Sequence, residues 1–334
     1  MTAWLGFLVC IAAIGFAGAR LSRYGDILAE KTGLGGSWIG LIMLATVTSL
    51  PELVTGISAV TVAGVPDIAV GDVLGSCVFN LAILVVVDLL HPRESIYSRA
   101  SRGHILSAAF GIVLIGAVAF SLLLARRGEA LAIGHIGAYT PLIVALYLLA
   151  MRTLYQYERR EVAEFVEDVA KRYPHVSLRR AAISYGLAAG VVVAAGIWLP
   201  FVGADIAEQM GWHDSFVGTL LVAAATSAPE VAVTVAAVRI GAIDMAVANL
   251  LGSNLFDILI LAIDDLFYAG GPLLANVSQA HAVSAVSAII MTGIAVVGLF
   301  YRPAGPLWRN VSWISVFMLA LYLLNGYVLF RHGA

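Results

Sequence analysis

Thr48-Ser49-Leu50-Pro51-Glu52 returns 178 residues later as Thr226-Ser227-Ala228-Pro229-Glu230. The same offset pairs Ala29-Glu30 with Ala207-Glu208, Gly33 with Gly211, Ser37 with Ser215 and Gly40 with Gly218. One deletion later the offset becomes 177. Asp67-Ile68-Ala69-Val70 then recurs as Asp244-Met245-Ala246-Val247, and Gly75-Ser76-Cys77-Val78-Phe79-Asn80 as Gly252-Ser253-Asn254-Leu255-Phe256-Asp257. The chain is two copies of one unit, and the residues around the copies decide how they are arranged.

Those surroundings are apolar. Of 334 residues, 61% are hydrophobic and 12% charged, against roughly 25% charged in soluble domains. A soluble domain of this length has no interior large enough for that excess, so the sequence predicts a multispanning membrane protein. Apolar stretches long enough to cross a bilayer lie near 3–19, 38–62, 68–90, 104–125, 130–151, 181–202, 215–238, 244–267, 279–301 and 310–330. This predicts an all-α integral membrane fold of ten transmembrane helices. Five spans per copy, an odd number, make the copies cross from opposite faces, giving two inverted five-helix repeats of the kind that builds alternating-access transporters. The halves are 1–151 and 181–334, joined by a linker over 152–180.

The first span has no basic residue before it and Arg20 and Arg23 after it, so it reads as a retained helix with its N-terminus outside. That orientation puts 16 of the 19 Lys and Arg on the inner side and only Arg126, Arg127 and Arg331 outside, as the positive-inside rule requires. Both termini are then expected outside and the 152–180 loop in the cytoplasm, in a cell (inner) membrane. Glu158, Glu161, Glu164 and Glu167 among basic residues read as a short solvated helix of that loop. A net charge of −2 excludes nucleic acid as a partner. Cys10 and Cys77 support neither a disulfide framework nor a zinc site. Seven scattered His without His-Glu-x-x-His argue against a metalloprotease. Asp67 and Asp244 read as acids at helix starts, favoured by the helix dipole. Asp88, Asp264 and Asp265 read as span-end acids solvated at the interface.

The chemistry sits in four polar spans. Glu52 and Glu230 lie in mid-span, where an ionised carboxylate costs about 2.5 kcal/mol or more. No Lys or Arg lies inside any span, so a cation from solution is the natural partner. Pro51 and Pro229 cannot donate to the carbonyl four residues back, which would free the carbonyls of Val47 and Ala225, with Thr48 and Thr226 close by. Hydroxyls of Thr48, Ser49, Thr226 and Ser227 add oxygen, making the hard shell that Ca²⁺ or Na⁺ prefers. Asp72, Ser76 and Asn80 share one helix face at i, i+4 and i+8, as do Asn249, Ser253 and Asp257 in the second copy.

These residues resemble the cation/calcium exchanger superfamily, and within it the sodium/calcium exchanger branch, whose two repeats carry G-T-S-L-P-E and G-S-N-x-F-N/D. The resemblance spans roughly 25–88 and 203–265. It implies that Glu52 and Glu230, with the backbone of Thr48 and Thr226, bind Ca²⁺. It also implies that Ser49, Ser227, Ser76, Ser253, Asn80 and Asp257, with the carbonyls of Ala45 and Ala223, shape Na⁺ sites, and that the first and sixth spans slide against the rest. The sequence departs from the pattern at Val47 and Ala225, which replace the Gly, at Cys77, where the second copy has Asn254, and at Asp72, which adds a fourth acid. The expected function is Ca²⁺/Na⁺ antiport without covalent catalysis or cofactor. Its rivals are a Ca²⁺/H⁺ antiporter on the same scaffold and, from other classes, a cation channel or intramembrane hydrolase. Expected partners are Ca²⁺, Na⁺, H⁺ and the lipid bilayer, with no obligatory protein partner.

Overall fold

The computed structural model describes residues 2–31, 45–90, 95–128, 131–162, 175–302 and 312–333. Its long helices are α1 (Thr2–Lys31), α2 (Leu50–Ala63), α3 (Pro66–Leu90), α4 (His104–Arg126), α5 (Tyr139–Val162) and α6 (Leu178–Met210). They continue as α7 (Asp214–Thr226), α8 (Ala228–Arg239), α9 (Ile243–Phe267), α10 (His281–Tyr301) and α11 (Trp313–His332). Among the described residues seven helices, α1, α3, α4, α6, α9, α10 and α11, are long and apolar enough to cross a membrane alone. The bent pair α7 and α8, at 47° to each other, supplies an eighth. The expected second span lies partly outside the described residues, as does most of the polar helix expected in the 152–180 loop.

The expected fifth span, 130–151, starts later than its hydropathy suggests. Ala132–Ile133 pairs antiparallel with Ile136–Gly137, and Gly134 turns between them at φ 69°, a left-handed conformation that costs glycine little. Asp265 at the end of α9 holds this hairpin. Its carboxylate accepts from Gly137 N–H, Tyr139 hydroxyl, Thr140 hydroxyl and Leu273 N–H. Asp88, the equivalent residue of α3, accepts from Ser95 hydroxyl, Ile96 N–H and the hydroxyls of Ser312 and Ser315. Both acids are buried, so the interfacial solvation expected for them is corrected: four protein donors stand in for water.

Asp67 and Asp244 are matched as closely. Asp67 accepts from Ser278 N–H at 2.6 Å and meets His281 Nε2 at 2.9 Å. Asp244 accepts from Ser101 N–H at 2.6 Å and meets His104 Nε2 at 2.9 Å. Each clamp ties the start of a polar helix in one copy to the start of an apolar helix in the other, which is more than the local dipole role expected of these acids.

Helices α3 and α9 are the most enclosed of the spanning helices and share one apolar core with α4, α10 and α11. Helices α1 and α6 form a separate pair, joined through Phe7, Cys10 and Ile14 against Ala195, Leu199 and Val202. That pair leans on the broken helices α2 and α8.

Candidate cation site

Both Pro-Glu motifs open a helix after a break. Ser49 (φ −87°, ψ 16°) and Ser227 (φ −77°, ψ 10°) leave the helical region, and α2 and α8 restart with proline in the first turn, where its missing N–H is no loss. Glu52 and Glu230 fall in those first turns, so the positive helix N-termini inside the bundle face the acids. The carbonyl of Ala45 accepts from Ser49 N–H at 3.1 Å and from the Thr48 hydroxyl at 3.0 Å. The carbonyl of Ala223 accepts from Ser227 N–H at 3.0 Å, and the Thr226 hydroxyl oxygen lies 3.1 Å from it.

The two breaks cross, so each serine serves the other copy's acid. Ser49 Oγ donates to Glu230 Oε1 and Ser227 Oγ to Glu52 Oε1, each at 3.2 Å. Ser253 Oγ also reaches Glu230 Oε1 at 3.2 Å. Ser76 Oγ lies 3.1 Å from Ser227 Oγ, and Thr48 Oγ1 lies 3.3 Å from Ser253 Oγ. Thr226 Oγ1 donates to Asp72 Oδ1 at 2.8 Å. At the α3–α9 crossing Asn80 Nδ2 donates to Asn254 Oδ1 at 3.0 Å, Asn254 Nδ2 to the Cys77 carbonyl at 3.2 Å, and Cys77 Sγ lies 4.0 Å from Asp257 Oδ2.

Glu52, Glu230, Asp72 and Asp257 are at most 1% exposed. Each keeps one carboxylate oxygen with no hydrogen-bond partner among the described residues, namely Glu52 Oε2, Glu230 Oε2, Asp72 Oδ2 and Asp257 Oδ1. Among the described residues neither His–Asp ion pair involves any of them. Four acids out of water with spare acceptors and no basic partner are costly unless a cation joins them. No three acidic, His or Cys side chains among the described residues stand close enough to hold a metal ion by themselves, so hydroxyls and carbonyls would have to complete any shell.

Every candidate residue thus lies at the crossing of α2, α3, α8 and α9 or on the helical turns that lead into it. Two features were missed in the sequence. Asn254 bridges Asn80 and Cys77, and the repeat runs on at offset 177 through Asp88/Asp265, Ser101/Ser278 and His104/His281, which would have disclosed the clamps.

The family model described as "Sodium/calcium exchanger protein" matches residues 2–155 and 181–331. The sodium/calcium exchanger MaX1 of Methanosarcina acetivorans is 28% identical, with 91% of each chain covered. Among solved structures, the H+/Ca2+ exchanger CAX superposes with a TM-score of 0.71 at 18% identity, covering 98% of this chain and 81% of that one. The sodium-calcium exchanger NCX_Mj, soaked with Na⁺ and Ca²⁺, superposes with a TM-score of 0.60 at 21% identity, covering 97% of each. At such identities the two structures share the fold.

Proposed function

The chain belongs to the sodium/calcium exchanger family, and we propose that it is a secondary antiporter exchanging Ca²⁺ for Na⁺ by alternating access, through one site between two inverted five-span repeats. The observation that carries this reading is the set of four buried carboxylates, each with an oxygen that no donor among the described residues satisfies. Such a site attracts cations in general. Ca²⁺ wants about six to eight oxygens, and Glu52 and Glu230 with the backbone of Thr48 and Thr226 are the core of that shell. The hydroxyls of Ser49, Ser227, Ser76 and Ser253, with Asn80, Asp257 and the carbonyls of Ala45 and Ala223, offer the smaller shells that Na⁺ uses. Asp72, held by Thr226, adds the fourth charge.

Two hard-cation cargoes competing for one crossing give antiport without a second site, because the site is costly to leave unneutralised. Ten spans, outer termini and a cytoplasmic 152–180 loop complete the proposal. The sixteen-to-three distribution of basic residues supports it.

The test is radioactive Ca²⁺ uptake into proteoliposomes. An imposed Na⁺ gradient should drive uptake, and a pH gradient in Na⁺-free buffer should not. Uptake driven by the pH gradient alone would replace Na⁺ with H⁺ as counter-ion. Ca²⁺ flux that needs no counter-ion gradient would make the protein a channel.

A further inference from the structure

Asp264 lies near the end of α9 and is fully buried. Neither of its carboxylate oxygens has a hydrogen-bond partner among the described residues. Its neighbour Asp265 uses four donors, so the lack of partners does not come from a shortage of polar groups at this end of the helix. The carboxylate rests against α2 at Gly56, where an added Cβ would fall on it.

The place is peculiar to one copy. At the equivalent positions the other copy has Val87 for Asp264 and Thr234 for Gly56. The acid and the glycine that makes room for it therefore occur together. The position also belongs to the transport seam. Gly56 is four residues from Glu52 on α2, and Asp264 is seven residues from Asp257 on α9. Both intervals keep one helix face, so Asp264 lies roughly 10 Å along α9 from the central cluster.

A lone carboxyl against a helix backbone offers two oxygens where Ca²⁺ wants about six to eight, and the neighbouring Asp265 is already engaged by four donors. A proton needs only one oxygen. We propose that Asp264 is a proton-binding site of the transporter, separate from the central cluster, in the seam between α2 and α9. The charges that reach it are those of Asp72 on α3 and of Asp265 beside it. Glu52 lies one turn away on α2. Tyr139 of α5 is committed to Asp265, Tyr147 of α5 packs on Phe256, and His135 of the hairpin lies exposed against the Leu266 carbonyl. All the acids of the seam carry like charge, so a proton on Asp264 weakens the pull of the central site on a cation, and its release restores that pull.

The assignment rests on the transport reading only for what the proton does to flux, so two measurements separate the two claims. The first is the infrared difference spectrum of the reconstituted full chain between alkaline and acidic buffer. A protonated-carboxyl band should be present in the wild type and in the Glu52→Gln/Glu230→Gln double variant. It should lose one carboxyl's intensity in Asp264→Asn and in Asp264→Val, the latter borrowing the residue of the other copy, while the central acids supply the remainder. A band undiminished in both Asp264 variants overturns the proposal, whether or not any flux is seen. The second is Ca²⁺ flux against pH on the side where α9 ends. The midpoint of acid inhibition should move by at least about one pH unit in Asp264→Asn, a tenfold change in proton concentration. An unmoved midpoint removes Asp264 from the coupling.

Discussion

Gly18 and Gly196 occupy equivalent places in the two copies, on α1 and α6, yet they meet different partners. A Cβ at Gly18 would overlap the ring of Pro229. At Gly196 it would lie 3.1 Å from Val54 Cγ1 and 3.3 Å from Thr55 Oγ1, three and four residues beyond Pro51, the counterpart of Pro229. The α1/α6 pair is therefore about one helical turn, roughly 5 Å, out of symmetry against the two broken helices. The clamps Asp67–His281 and Asp244–His104, by contrast, agree to a tenth of an ångström. Copies that match within the frame and mismatch where α1 and α6 lean on it describe a rigid bundle with a displaced pair. Under alternating access the opposite state exchanges the two contacts, with Gly196 on Pro51 and Gly18 beside Ala232 and Val233.

The strongest challenge to this comparison is the central pair of acids. Glu52→Gln and Glu230→Gln should each abolish Ca²⁺ exchange while leaving an extractable, folded protein. Removing one partner of a buried charge pair costs about 2–5 kcal/mol, roughly thirty- to several-thousand-fold in affinity. The Glu230→Gln loss should be at least as large as the Glu52→Gln loss, because the crossed serine bonds are equal at 3.2 Å and Glu230 accepts from Ser253 as well. Near wild-type uptake by either variant would remove that acid from the site.

The glycines come next. Gly18→Ala must push Pro229 aside, an overpacking cost of about 1–3 kcal/mol, whereas Gly196→Ala meets the margin of a valine and a threonine and should cost less than about 1 kcal/mol. Thermal unfolding of the purified variants measures both. Equal losses would mean that the protein in solution spends its time in a symmetric arrangement, with the displacement described above transient.

A smaller effect is expected from the unmatched acid. Asp72 has Asn249 at its equivalent position, and only Asp72 is held by a threonine, Thr226. Asp72→Asn keeps the hydrogen bond and removes one charge, so apparent Ca²⁺ affinity should fall about tenfold, near 1.4 kcal/mol, with Na⁺ coupling retained. Loss of coupling instead would make Asp72 part of the counter-ion site.

What the sequence disclosed was the part that repetition and burial cost make visible. The Pro-Glu motifs and the polar stripes stand out because acids and prolines are rare in apolar spans. The hairpin at 132–137 did not, since Leu131, Ala132 and Ile133 have the hydropathy of a membrane segment, and the strand they pair with is anchored through Gly137 by a distant carboxylate, Asp265. Asp88, Asp264 and Asp265 were misread for a related reason: a position near a span end indicates water until the loops that cover it are known. The prolines mark the two breaks, but that the Thr48 and Thr226 hydroxyls lie on the carbonyls of Ala45 and Ala223 depends on rotamers, which no linear pattern encodes.

The finest test concerns the clamps, which are equal in distance and unequal in setting. The His281 side chain is fully buried and Asp67 is 29% exposed, while His104 is 12% and Asp244 62% exposed. Water can replace the lost partner of Asp244 far more readily than that of Asp67. His104→Ala should therefore cost about 0.2–1 kcal/mol, the range of an exposed pair. His281→Ala leaves a mostly buried oxygen with only Ser278 N–H and opens a space in the bundle, so it should cost about 1–3 kcal/mol. The expected difference of roughly 1 kcal/mol is read from denaturation midpoints of the two variants in one lipid. If both variants lost equally, the clamps would act through geometry alone, and the environment of each end would have no part in holding the frame. If His104→Ala lost more, Asp244 would be carrying a load that its exposure does not reveal, and the two copies would differ in the frame as well as in the displaced pair.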